Sequence, residues 1–242
     1  MPAPKFLLLL ATLPILCSAC GAGKSAETAP PGPTPPPMAT GGPRILCLGD
    51  SYTIGQSVDA RDRWPVQLGV LLSTEHIQIA PPEIIARTGW TAEDLAEGIA
   101  RTKPNGPYQL VTLLIGVNNQ FQGRDVEEFH KQFVTLLEQA KGFADGKVSH
   151  VLVLSIPDYG LTPFAKNSGR KGISKELEKF NAICKEEAQK AGARFVDITP
   201  VSNGVAEDKT LLALDGLHPS GKLYAEWAKL ALPEALAALK DK

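Results

Sequence analysis

The stretch Arg44-Ile45-Leu46-Cys47-Leu48-Gly49-Asp50-Ser51-Tyr52 decides how the rest of the chain is read. Its first five residues form a short apolar run that suits a buried strand, and Gly49-Asp50-Ser51 stops that strand at a polar turn. The same form recurs four times: EIIA from Glu83, QLVTLLIG from Gln109, HVLVLSI from His150 and ARFVDI from Ala193. All are rich in Val, Ile and Leu and lack the alternation of a half-exposed strand, as expected when both faces of a sheet are covered. Helical spacing of apolar residues separates them, over Trp64 to Leu72, Thr91 to Ala100, Val126 to Phe143, Ser174 to Lys190 and Lys222 to Leu239. Thr91 and Asp94 stand at capping-box spacing at the start of the second of these. Strands alternating with helices predict an α/β domain built on a parallel sheet, with ligand chemistry at the carboxyl ends of its strands.

Composition narrows the partners. With 242 residues, 43% of them hydrophobic, the chain buries one sizeable core, and a second full domain would be cramped. A formal net charge of −1, with no run of Lys or Arg, removes the broad attraction that nucleic acid or an anionic bilayer would require. Near the N-terminus, Lys5 precedes the apolar run LLLLATLPIL and the sequence Leu16-Cys17-Ser18-Ala19-Cys20, which reads as an export signal over residues 1–19. Small residues before Cys20 and Gly21 after it resemble a bacterial lipobox, in which Cys20 carries the lipid and anchors the protein to a membrane of the cell envelope. An ordinary cleaved signal is the alternative. Residues 20–43, which include PPGPTPPPMATGGP, lack the branched and aromatic residues needed to pack and read as an extended tether. The folded body is expected over residues 44–242. Within it, Cys47 and Cys184 fall at buried positions and read as free thiols, and no His or Cys cluster has metal-ligand spacing.

Three polar motifs follow predicted strands: Gly49-Asp50-Ser51-Tyr52, Thr88-Gly89-Trp90 and Gly116-Val117-Asn118-Asn119. A fourth, Asp215-Gly216-Leu217-His218-Pro219, falls between the last strand and the last helix, so all four meet on one rim. A serine hydroxyl becomes a nucleophile when a base takes its proton and a third group fixes the tautomer of that base. Ser51, His218 and Asp215 supply those three parts. The backbone N–H groups of Ser51 and Gly89, with the Asn118 amide, supply donors for a developing oxyanion. Each motif alone also reads as an ordinary turn or helix cap; their joint placement on one rim favours the catalytic reading.

The four motifs, in this order, resemble those of the SGNH branch of the GDSL hydrolases, over about Arg44 to the C-terminus. The resemblance implies a flavodoxin-like three-layer α/β/α sandwich with a five-stranded parallel sheet. It also implies a catalytic triad of Ser51, Asp215 and His218, and an oxyanion hole from Ser51, Gly89 and Asn118. The third block of that family commonly reads GxND, and Asn119 replaces its Asp, which bears on supporting hydrogen bonds only. An acyl-serine mechanism needs no metal or organic cofactor.

Tyr52, Trp90, Asn119 and Phe121 adjoin these motifs and are expected to line the pocket, together with the long connection from Pro157 to Gly172. The expected substrate is a small or single-chain acyl ester, of the lysophospholipase or short-chain esterase type. A carbohydrate O-acetylesterase is the nearest alternative, and a non-catalytic envelope-binding protein on the same fold is the alternative from another class. Oligomeric state is not legible in the sequence.

Overall fold

The computed structural model describes residues 41–241. The signal segment, the lipidation at Cys20 and nearly all of the tether lie outside them. The five expected strands form at β1 (Ile45–Gly49), β2 (Glu83–Ala86), β3 (Leu110–Leu114), β4 (Val151–Leu154) and β5 (Arg194–Val196). All neighbours pair in parallel, in the order β2-β1-β3-β4-β5. β1, β3 and β4 are buried along their whole length, which is why they read as unbroken apolar runs.

Nine α-helices are present among the described residues: α1 (Ser51–Ile54), α2 (Trp64–Thr74), α3 (Ala92–Thr102), α4 (Val117–Phe121), α5 (Val126–Phe143), α6 (Pro163–Ser168), α7 (Ile173–Ala191), α8 (Thr199–Ser202) and α9 (Gly221–Lys240). The five long ones lie where the apolar spacing predicts them. Thr91 caps α3, with reciprocal bonds to Asp94, which satisfies two of the N–H groups that a helix start leaves free. α2 and α9 pack together on the sheet, and α5 packs between α3 and α7. The two helix layers with the sheet make the three-layer α/β/α sandwich.

Trp64 and Leu68 of α2 and Trp227 and Tyr224 of α9 are fully buried, as are Phe129 and Phe133 of α5. Each such side chain contributes roughly 1.5–3 kcal/mol by leaving water. Among the described residues the core runs from Ile45 to Ala238. Cys47 and Cys184 are free and buried, and burial pushes the Cys47 thiol up to about 12. In this strand order the connections leave β1 and β3 toward opposite faces. A crevice therefore opens at their carboxyl ends.

Candidate active site

Ser51 opens α1 directly after β1. The preceding Asp50 fixes the turn, since its Oδ1 accepts the Tyr52 N–H at 3.0 Å. Gly49 permits the close approach of strand and helix: a Cβ there would lie 2.2 Å from Thr53 Oγ1 and 2.6 Å from the Leu114 carbonyl oxygen. As the first residue of a helix, Ser51 has an N–H without an intrahelical acceptor, directed to the crevice end of the sheet.

The Asp50 side chain is fully buried, and its Oδ2 has no hydrogen-bond partner. Burial pushes its carboxyl up to about 7, against the lowering effect of the Tyr52 N–H. Between the unfolded carboxylate value of about 4 and the folded value, the unfolded chain releases a proton that the folded chain keeps, so stability falls as pH rises through this window. Asp50→Asn keeps an acceptor for Tyr52 and cannot ionise. Its stability relative to the wild type is expected to improve by roughly 1–4 kcal/mol between about pH 4 and pH 8, as read from melting temperatures. A pH-independent gap between the two proteins would refute the buried neutral carboxyl.

Asp215 and His218 sit in a loop closed by an antiparallel bridge between Leu212 and Pro219 and by the Ala213 N–H donating to the His218 carbonyl at 2.8 Å. Inside it, Asp215 Oδ1 accepts the N–H groups of Leu217 and His218, both at 2.9 Å. Asp215 Oδ2 meets His218 Nδ1 at 2.7 Å and accepts the Ser57 hydroxyl at 2.6 Å. Partial burial alone would raise the Asp215 carboxyl; the bonds from Ser57, His218 and Leu217 outweigh it and hold the group at about 2. An ionised Asp215 therefore accepts from Nδ1 through the neutral range, which leaves Nε2 as the free ring nitrogen. The buried Tyr52 ring packs against the imidazole in a T-shaped arrangement, with centroids 5.7 Å apart.

Ser51, His218, Gly89 and Asn118 line one pocket of about 210 Å³. No direct hydrogen bond joins Ser51 to His218 among the described residues; such contacts commonly tighten only when substrate is bound. Gly89 follows β2 with φ +85°, a backbone conformation that favours glycine, and a Cβ there would meet nothing within 4 Å. Asn118 donates one Nδ2 hydrogen to the Trp90 carbonyl at 2.9 Å, which orients the amide and leaves the second hydrogen free.

Of the four pocket residues expected from the sequence, Tyr52 and Phe121 are in the wall and Trp90 and Asn119 are not. The Trp90 ring covers Gly98 on α3, where a Cβ would lie 2.3 Å from its Cη2 atom; only its carbonyl reaches the site, through Asn118. Asn119 is buried, accepts the Ala92 N–H at 2.9 Å and donates to Gln132 at 3.1 Å. The reason is helical: α4 turns about 100° per residue, so positions 118 and 121 share the pocket face while 119 points between α3 and α5. At this position only an acceptor oxygen for Ala92 is required of the side chain, and Asn has one.

Residues 47–226 match the model of the GDSL-like lipase/acylhydrolase family. The chain belongs to that family. It is accordingly a carboxylic ester hydrolase. Among solved structures, this GDSL hydrolase is similar to a lipase/acylhydrolase from Enterococcus faecalis, with 18% identity, a TM-score of 0.65, and coverage of 83% of this chain and 98% of the other. It is also similar to TesA, with 19% identity, a TM-score of 0.60, and coverage of 81% and 99%. An acetylxylan esterase from Geobacillus stearothermophilus has 20% identity, a TM-score of 0.59, and coverage of 80% and 94%. These likenesses establish the shared fold. None of the curated proteins compared with the chain matches it in sequence.

Sequence reasoning missed Ser57 and left several residues of the pocket wall of this GDSL hydrolase unnamed. Ser57, at φ +67°, contributes the second bond to Asp215 Oδ2 from a turn that carries no recognisable motif. Val117, Tyr159, Phe164 and Leu217 supply the apolar part of the wall. Tyr159 and Phe164 belong to the connection from Pro157 to Gly172, which was expected to line the pocket from its length and does so. That connection folds into α6 and a preceding 3-10 turn, and the Tyr159 hydroxyl donates to Gln120 at 2.9 Å.

Proposed function

We propose that this GDSL hydrolase cleaves small or single-chain acyl esters through an acyl-Ser51 intermediate. Ser51 Oγ attacks the ester carbonyl while His218 Nε2 takes its proton. Negative charge on the carbonyl oxygen is met by the N–H groups of Ser51 and Gly89 and by the free Asn118 hydrogen. The tetrahedral species collapses, His218 protonates the departing alcohol, and water repeats the cycle on the acyl-serine. The observation that carries this reading is the 2.7 Å contact between His218 Nδ1 and Asp215, with His218 in the same pocket wall as Ser51.

The substrate follows from the walls. Val117, Phe121, Tyr159, Phe164 and Leu217 make an apolar side, and about 210 Å³ is below the ~300–1,000 Å³ of sites that enclose drug-sized ligands. A short acyl group fits inside, and a longer chain extends beyond the mouth. The p-nitrophenyl esters test this: hydrolysis is expected from acetyl upward, with kcat/KM falling once the acyl group outgrows the pocket. The small volume also favours a second reading, a carbohydrate O-acetylesterase. Acetate release from acetylated glycans, with no turnover beyond the acetyl ester, would replace the first reading by the second.

The N-terminal motif supports an exported lipoprotein held at a membrane of the cell envelope through Cys20, with residues 20–43 as the tether. Radiolabelled palmitate is expected in the wild type and absent from Cys20→Ala; label retained in the variant would set the anchor aside.

A further inference from the structure

Large apolar side chains stand exposed at four positions among the described residues: Phe121, Phe164, Leu214 and Leu230. Two of them, Phe121 and Phe164, stand in the catalytic pocket, and Leu214 belongs to the loop that carries Asp215 and His218. Phe121 and Phe164 form the outer wall of the pocket, with ring centroids 6.3 Å apart. The Phe164 N–H donates to the Gly216 carbonyl at 3.3 Å, which joins α6 to the loop carrying Leu214. Leu214 has a relative exposure of 107%, so its side chain gains nothing from the folded protein.

Charge is segregated at the same place. The whole chain has 25 Lys and Arg against 26 Asp and Glu, whereas the segment from Asp158 to Glu176 has Lys166, Arg170, Lys171 and Lys175 against Asp158 and Glu176 at its two ends, the latter bonded by Gln120. The Arg170 guanidinium lies 5.1 Å from the Phe121 ring centroid and donates to the Phe121 carbonyl at 2.6 Å, so cation and ring are presented together. Screening at physiological salt confines fields to about 8 Å, so this patch acts independently of the net charge.

We propose that this rim docks on an anionic lipid surface, with Leu214, Phe164 and Phe121 entering the acyl boundary and Lys166, Arg170 and Lys171 meeting the headgroup phosphates. Exposed apolar tips bordered by cations are the pattern of interfacial binding. A fully exposed leucine has no comparable use on a soluble polyanion. Docking seals the mouth of the pocket against the lipid, so an acyl ester enters from the lipid phase without crossing water. The surface stands apart from the acyl-Ser51 chemistry, and the two fail separately.

The test uses residues 41–242, which carry the whole described fold and lack Cys20, in sedimentation with vesicles of phosphatidylcholine alone or mixed in equal parts with phosphatidylglycerol. Preferential, salt-sensitive binding to the mixed vesicles is expected. The combined variant Leu214→Ser, Lys166→Glu, Lys171→Glu should bind them roughly thirtyfold more weakly or worse, from the loss of two surface cations alone. Its turnover of soluble p-nitrophenyl acetate should match the wild type, since none of the three residues lines the pocket. Ser51→Ala should bind vesicles like the wild type, which keeps the result readable if the proposed chemistry fails. Equal binding to both vesicle types, undiminished binding by the triple variant, or equal retention on heparin would overturn the proposal.

Discussion

Ser51→Ala is expected to lower turnover of p-nitrophenyl esters by on the order of 10⁴-fold or more, with the fold unchanged. The substitution removes the single atom proposed to form the acyl bond. It leaves in place the Asp215–His218 pair, the Gly89 N–H and the Asn118 amide, whose partners are all elsewhere. Ser51 is only 4% exposed and alanine is smaller, so nothing in α1 has to move. The residual rate measures what the oxyanion donors and binding contribute without a nucleophile. Two readouts check the prediction independently: steady-state turnover, and the intact mass after exposure to a serine-directed organophosphonate, which should add to the wild type and not to the variant. Turnover retained above about a tenth of the wild-type rate would remove Ser51 from the mechanism, because losing a triad nucleophile costs far more than that.

Asp215→Asn is expected to cost about 10³–10⁴-fold in kcat with little change in KM. Asparagine keeps an oxygen for the Leu217 and His218 N–H groups, so the loop retains its shape. What changes is the second atom. An amide NH₂ in the place of Oδ2 faces His218 Nδ1 and also the Ser57 hydroxyl; the hydroxyl can turn to accept from it, but the Nδ1–H is left facing a donor where it needs an acceptor. The imidazole then prefers the tautomer with its proton on Nε2, which no longer accepts from Ser51, and the imidazolium formed during attack loses its counter-charge. Nitrogen-15 chemical shifts of the His218 ring should report the reversed tautomer. An unchanged tautomer together with wild-type kcat would assign Asp215 a structural role only.

The contrast between the residues that were legible and those that were not has a physical origin. β1, β3 and β4 are covered on both faces, and Val126–Phe143 packs a single stripe against them, so hydrophobic periodicity alone located every strand and every long helix. Asp215 and His218 are three residues apart in one tight loop, so their contact is encoded locally. Trp90 and Asn119 were misplaced because adjacency to a motif says nothing about direction. In α4 the helical turn sends Asn118 and Asn119 to different neighbours, one to the pocket and one to Ala92 and Gln132.

From the sequence by itself came the α/β order, the parallel sheet, three polar motifs after its strands and a fourth before the last helix, and the proposal of Ser51 as nucleophile, His218 as base and Gly89 and Asn118 as oxyanion donors, because each rests on local pattern and short spacing. Tertiary structure alone decided the Ser57 bond to Asp215, 158 residues away in the chain, and the buried, unpartnered oxygen of Asp50. It alone decided which side chains of the long connection, Tyr159 and Phe164, reach the pocket, and the meeting of Phe121 with Arg170. These depend on which distant segments the crevice between β1 and β3 brings together, and on the solvent and partners each side chain then has. Neither quantity is a property of any short stretch of chain.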